Sequence, residues 1–327
     1  MLRFHACSHP EIKLSLEAKT IPSEVNWIDI LKPERQEIAF LERRLGIELP
    51  TLEELSQIER SSRLRSERNW LRLSLPVIYH TDGFLPALTS LGILLSKDLL
   101  LTVRFKQIKA LDNVFDNIAR FPIQTGGVGA LIAVVEAIID HTADLLERVG
   151  SDLDHLSEEI LGTNNADSNR HKPNENAGRL RFFLREIGRK GDLTSKTEDV
   201  LLGMARMLPF VTVHATPQLE SGSQAKFKSL ERDVKSLNDY ETHLTEKIQL
   251  LLDAIVGLTN IEQNNIFRIL TVVSVIGIPP TFFASMWGMN FKHMPELDWS
   301  FGYVFGLFVI ALSAIIPYVW FKRRGWC

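Results

Sequence analysis

Neutral oxygen-bearing side chains recur along one late stretch of the chain: Asn264, Asn265, Thr271, Ser274, Thr281, Ser285 and Asn290. Residues 269–291 of that stretch carry no charge. Amide and hydroxyl oxygens are hard but neutral ligands, and several copies arranged around one axis hold a hydrated cation without binding it too tightly to leave. With no carboxylate in the stretch, the chemistry on offer is weak contact with an ion's water shell. Asn264 and Asn290 bracket the segment and suit that role. Asn290 taken alone also suits a turn at a helix end, because Asn tolerates the left-handed conformation and Gly288 stands two residues before it.

Pro279-Pro280 lies inside the same segment. Each proline lacks an N–H, so the carbonyls of Val275 and Ile276 lose their helical partners. Within a bilayer such groups persist only beside another helix or a water-filled cavity, which points to a pore-lining helix; a packing kink is the plain alternative. Nothing else in the sequence suggests a reaction centre. There is no phosphate-cradling glycine pattern, no metalloprotease motif and no nucleophile elbow, and the protein is not expected to be an enzyme. His5 and His9 read as a surface pair with no metal role. Cys7 and Cys327 form neither a zinc spacing nor a disulfide framework, and no resident prosthetic group is expected.

Two segments can place these groups in a membrane. Residues 269–291 and 299–321 are both uncharged, and each would make a helix of about 34 Å against a hydrocarbon core of about 30 Å. Trp299, Tyr303, Tyr318, Trp320 and Trp326 sit near the ends of the second, at headgroup level. Lys322, Arg323 and Arg324 follow it, whereas residues 292–298 hold one Lys, Glu296 and Asp298. Basic flanks stay on the cytoplasmic side, so both termini are expected inside and 292–298 outside, in a bacterial-type inner membrane. No signal peptide is apparent in residues 1–13, and insertion is expected to rely on the two late spans.

The rest of the chain reads as a body in water. Lys+Arg number 37 against Asp+Glu 40, a formal net charge of −3, and mean hydropathy is +0.01. That balance excludes a general nucleic-acid binder and leaves cations as the better partner. Apolar runs at 25–30, 70–79, 88–95 and 99–105 predict strands, with helices near 33–45 and 51–60, hence a mixed α/β domain over 1–121. Thr51 and Glu54 form a capping box at the start of the second helix. Residues 122–224 read as a helical hairpin. Its first arm is a core helix over 126–161, and 164–176 is a polar connector. The second arm runs over 178–208 with a possible break at Gly191, and 216–224 is a linker.

Residues 225–268 predict a stalk helix. Leu230, Val234, Leu237, Leu244, Ile248, Leu251, Ile255 and Leu258 repeat in steps of four and three, with a single step of seven after Leu237, which is a coiled-coil-like seam. The pattern does not stop before residue 269. A stalk continuous with the first span would pass a signal from the body to the membrane.

Trp287-Gly288-Met289-Asn290-Phe291, then Met294-Pro295-Glu296-Leu297, Trp299-Ser300-Phe301-Gly302-Tyr303 and Phe321-Lys322-Arg323-Arg324-Gly325-Trp326, resemble the CorA family of magnesium and cobalt channels. The likeness is strong over 260–327 and weaker before it, where 51–63 resembles the family's early helix. It implies an α+β membrane protein that assembles as a homopentameric funnel in the lipid bilayer, five first spans lining one pore (269–291), with 292–298 as external loop, 299–321 as outer span and 322–327 as basic tail. Gly288, Met289 and Asn290 become the filter for hydrated Mg²⁺. Asn264 and Thr281 become polar rings, and Phe267, Leu270 and Ile278 a hydrophobic gate.

Further roles rest on the same resemblance. Glu296 belongs to the cation-attracting loop, and Lys322, Arg323 and Arg324 to a basic collar around the stalk. Asp253 matches the stalk carboxylate of a regulatory Mg²⁺ site, its partner falling near His80 or Asp82. The transported ion is Mg²⁺, with Co²⁺ as a second cargo. The related ZntB group of zinc transporters is the alternative, although Gly-Met-Asn followed by Met-Pro-Glu-Leu favours magnesium. A membrane-anchored coiled-coil scaffold would explain the stalk and leave Asn264, Asn290 and the double proline unexplained. Trp287 departs from the family's usual Tyr.

Overall fold

Alternating and continuous apolar runs make the first part of the chain a sheet. The computed structural model describes residues 2–6, 21–55, 63–67, 69–79, 86–116, 126–162, 173–215, 221–289 and 299–326. The strands are β1 (Leu2–Ala6), β2 (Val25–Leu31), β3 (Leu64–Glu67), β4 (Trp70–Tyr79), β5 (Ala87–Leu95) and β6 (Leu100–Arg104). They form one sheet in the order β1-β2-β6-β5-β4-β3, antiparallel except for the parallel pair β2 and β6. The four predicted strands are present. β1 and β3 were not foreseen, because five and four residues offer too little periodicity to read.

The helices are α1 (Arg35–Leu45), α2 (Leu52–Leu55), α3 (Lys109–Asp116), α4 (Gly126–Gly162), α5 (Pro173–Ala215), α6 (Ser221–Trp287) and α7 (Gly302–Arg323). The capping box before α2 is made as expected: the Thr51 amide donates to Glu54 Oε2 at 3.0 Å and the Glu54 amide to Thr51 Oγ1 at 3.3 Å. The chain folds as two compact units, one of Met1–Asn165 with Phe183–Leu251 and one of Ala166–Phe182 with Leu252–Cys327.

In the first unit the sheet core is Phe4, Ile28, Ile30, Phe40, Leu41, Leu94, Leu101 and Val103. A polar network fixes the parallel pairing beside it. Asp29 stands opposite Thr102 in register, the Thr102 hydroxyl donates to Asp29 Oδ1 at 2.7 Å, and the Trp27 indole N–H donates to Thr102 Oγ1 at 2.9 Å. Arg104 Nη2 lies 2.9 Å from Asp29 Oδ2 and 2.7 Å from Asp112 Oδ1, with no exposed surface on either Arg104 or Asp29. Burial pushes the Asp29 carboxyl up, and the Arg104 charge and the Thr102 hydrogen bond oppose it. His5 belongs to this region and is buried, stacked on Phe115 with centroids 4.2 Å apart. That corrects the expectation of a surface pair, for β1 carries His5 into the sheet; His9 lies outside the described residues.

Long helices pack on that sheet. Gly203 of α5 takes the side chain of Pro76 in β4 so closely that an added Cβ would meet its Cδ at 2.8 Å. Ion pairs tie the helices to one another: Lys226 of α6 to Glu136 of α4 at 3.2 Å, Lys247 of α6 to Asp154 of α4, and Lys190 of α5 to Asp152 of α4. The Lys247 contact holds the Asp154 carboxyl below its usual range. α4 buries Leu131, Val135, Ile138, Leu145, Val149, Leu153 and Ile160 of the predicted face.

Four helix boundaries differ from expectation, one of them the end of α5, which lies at Ala215 and not at 208. α5 runs unbroken through Gly191, because Ile187, Val200, Leu201, Met204 and Leu208 along it are buried and outweigh a glycine cost of about 1 kcal/mol. It begins at Pro173, within the expected connector, since proline suits a first helical position. α6 begins at Ser221, inside the expected linker. The seam of α6 is buried at Leu230, Val234, Leu244, Ile248, Leu251 and Ile255. Its step of seven has a physical content: the skipped position holds Glu241, only 5% exposed, which accepts a hydrogen bond from Thr245 Oγ1 at 2.8 Å.

Candidate functional site

The decisive local fact is that α6 is one helix of 67 residues, so the buried seam and the uncharged segment belong to a single uninterrupted element. It passes through Pro279 and Pro280 without a break in helical assignment. In the second unit the late part of α6 is almost bare: Phe267 is 63% exposed, Leu270 59% and Ile278 64%. A single chain does not leave such a helix in water, and α6 and α7 are the two helices long and apolar enough to cross a membrane.

At about 100° per residue, Asn264, Phe267, Leu270, Ile278 and Thr281 fall within one arc of about 120° on α6. The expected polar rings and apolar gate therefore share a face. Thr271, Ser274 and Ser285 fall in the same arc, and Ser274, Gly277, Ile278, Thr281 and Ser285 line one groove along it. Their helical spacing was legible; that three further hydroxyls accompany Thr281 was not drawn from it. The Thr281 hydroxyl donates to the Gly277 carbonyl at 2.8 Å and that of Thr271 to the Phe267 carbonyl at 2.8 Å. Each keeps its oxygen lone pairs for a water outside the helix.

The helix stops where the motif begins. Gly288 follows the last helical residue, its amide donating to the Ala284 carbonyl at 3.0 Å, and Met289 is 49% exposed beyond it. Trp287, the departure from the usual Tyr, has a clear partner. Its ring lies against Gly306 of α7, 3.5 Å from where a Cβ would stand, and stacks on Phe283 at 5.9 Å. A glycine on the second span makes room for the larger indole.

Asn290, Glu296, His80 and Asp82 lie outside the described residues. Asp253 is described and exposed on α6. Among the described residues no group of three or more His, Cys, Asp or Glu is placed to hold a metal ion. Lys322, Arg323 and Arg324 are exposed at the end of α7.

A family model described as "CorA-like Mg2+ transporter protein" matches residues 22–323, from β2 to the end of α7. The chain belongs to this CorA-like family. It is 33% identical over 302 residues to the magnesium transport protein CorA of Pasteurella multocida, covering 92% of this chain and 91% of that one. Its fold matches the complete structure of the CorA magnesium transporter from Methanocaldococcus jannaschii with a TM-score of 0.76 at 21% identity, covering 97% and 96% of the two chains. The ZntB cytoplasmic domain from Vibrio parahaemolyticus matches less well, with a TM-score of 0.51 at 12% identity over 80% of this chain and 98% of that domain. The CorA-like family thus accounts for the sheet, the long helices and both apolar helices together.

Proposed function

We propose that the chain is one subunit of a homopentameric, passive channel that carries Mg²⁺ inward across the inner membrane, both termini being cytoplasmic. The observation that carries this reading is the continuity of α6 from its buried seam to the turn at Gly288, with polar and apolar positions sharing one face. Family membership and the likeness to proteins named magnesium transport protein support it. The energy is electrical, about 2.3 kcal/mol per charge at 100 mV and twice that for a divalent ion.

On this reading residues 1–121 form the cytosolic α/β domain, 122–224 the hairpin, 225–268 the stalk and 269–291 the pore-lining span, with 292–298 outside, 299–321 as second span and 322–327 as basic tail. Five copies of Gly288, Met289 and Asn290 hold a hydrated ion at the outer mouth. Thr281 and Asn264 offer further neutral oxygens, and Phe267, Leu270 and Ile278 close the pore by dewetting. Glu296 draws cations to the mouth, and Lys322, Arg323 and Arg324 ring the inner side. Asp253, with His80 or Asp82 of a neighbouring copy, binds regulatory Mg²⁺. Co²⁺ is a second cargo.

Metal-resolved flux into proteoliposomes, with and without a pH gradient, tests the reading. Mg²⁺ uptake without a pH gradient, and at least a tenfold loss in Asn290→Ala at equal reconstitution, is expected. Zinc uptake that requires a proton gradient and ignores Mg²⁺ would overturn it in favour of a ZntB-like transporter.

A further inference from the structure

The second apolar helix ends on a fixed cap. Gly325 adopts φ 71°, its amide donates to the Lys322 carbonyl at 3.2 Å, and the Trp326 amide donates to the Phe321 carbonyl at 3.0 Å. The Trp326 ring stacks on Phe321 with centroids 5.6 Å apart. These are the two reversed hydrogen bonds and the apolar contact of a Schellman motif. Phe321 is 3% exposed, so the cap is anchored in the second unit.

The cap holds three cations at one level. Lys322, Arg323 and Arg324 are consecutive and exposed, and steps of about 100° spread them over roughly 200° of the helix end. The bare arc is about 160°, so any half of the helix surface carries at least one of them. Two of them rest on aromatic rings: the Arg324 guanidinium lies 4.3 Å from the Trp320 ring centroid and the Lys322 ammonium 6.0 Å from that of Tyr318. Among the described residues no carboxylate forms an ion pair with any of the three. A guanidinium over an indole keeps its in-plane N–H fork for a planar pair of oxygens.

We propose that the end of α7 binds the phosphate of an anionic phospholipid, with Arg324 on its Trp320 platform as the principal contact and Lys322 and Arg323 as further cations. The proposal rests on the reading of α7 as a membrane span. A lipid is the fitting source of the phosphate, because the cations begin where an exposed apolar helix ends and Tyr318, Trp320 and Trp326 stand at the depth of headgroups. Cations turned inward serve the collar; those turned outward meet lipid.

The test is native mass spectrometry of the full-length protein after exchange into phosphatidylglycerol or phosphatidylcholine, with flotation on phosphatidylcholine vesicles as a separate check of the span. The parent should retain phosphatidylglycerol at least fivefold over phosphatidylcholine. K322Q/R323Q/R324Q should lose that preference, R323K/R324K should keep most of it, and Trp320→Leu should reduce it. Equal retention of both lipids by the parent, or an unchanged preference in the triple variant, would overturn the proposal. Loss of the preference on adding millimolar inorganic phosphate would overturn the lipid source in favour of a general anion site. Protein that floats without lipid preference sinks this inference alone; protein that fails to float sinks the span reading with it.

Discussion

The indole of Trp287 fills the space that Gly306 leaves open on α7, at 3.5 Å from the missing Cβ. The last residue of the first apolar helix is thereby packed on the second, one residue before the turn at Gly288. A methyl at Gly306 would make ordinary contact, whereas a large side chain would displace the ring. Gly306→Ala should keep Mg²⁺ flux within about twofold, and Gly306→Phe should lower it at least tenfold. Trp287→Ala combined with Gly306→Phe should be non-additive by about 0.5–3 kcal/mol, as for residues in contact. Flux and thermal melting of the reconstituted protein check this; additive effects would dissociate the pair.

Asp29 and Arg104 should behave as a unit. Removing Asp29 leaves the fully buried Arg104 with Asp112 as its remaining carboxylate partner in the network and breaks the Thr102 hydrogen bond. With Asp112 still neutralising Arg104, Asp29→Ala should cost about 1–3 kcal/mol, as for buried hydrogen-bonding groups left without a partner. Thermal unfolding followed by circular dichroism would show the loss, and a melting temperature equal to that of the parent would contradict it.

Glu241 should make the α6 seam sensitive to pH. Burial pushes its carboxyl up, the Thr245 hydrogen bond opposes this, and Glu198 adds to the rise. The folded state then holds the proton more tightly than the unfolded chain. The contribution to stability is fully present below the unfolded carboxyl value of about 4.3 and is lost as pH rises through the higher folded value. Glu241→Gln should flatten stability over that window. The check is a melting series against pH, in which parallel parent and mutant curves would exclude the effect.

On the proposed reading, Asp253 should act on gating and not on ion selection. Asp253→Ala should weaken closure by magnesium while leaving the order of permeant ions unchanged. Patch-clamp currents at stepped magnesium on the cytoplasmic side decide it, and identical inhibition in mutant and parent would rule the role out.

Local sequence carried a large part of this. Uncharged length fixed the two apolar helices, and a period near 3.6 fixed α4 and the seam of α6. The capping box at Thr51 and Glu54 was readable because both hydrogen bonds are local. What failed was also local reasoning. Gly191 looked like a break and is not one, since burial along α5 outweighs intrinsic propensity.

Tertiary structure decided the pairings between distant residues. The sequence determined that Glu241 interrupts an apolar repeat, but only packing shows it buried there instead of turned to solvent. The family resemblance marked Trp287 as standing where Tyr is usual, and only the approach of α7 shows Gly306 receiving it. Asp29 and Arg104 lie 75 positions apart, and no periodicity announces such a pair. The reason is physical: helices and caps are set by neighbours within about four residues, whereas a buried charge or a glycine notch has meaning only once the chain has folded back on itself.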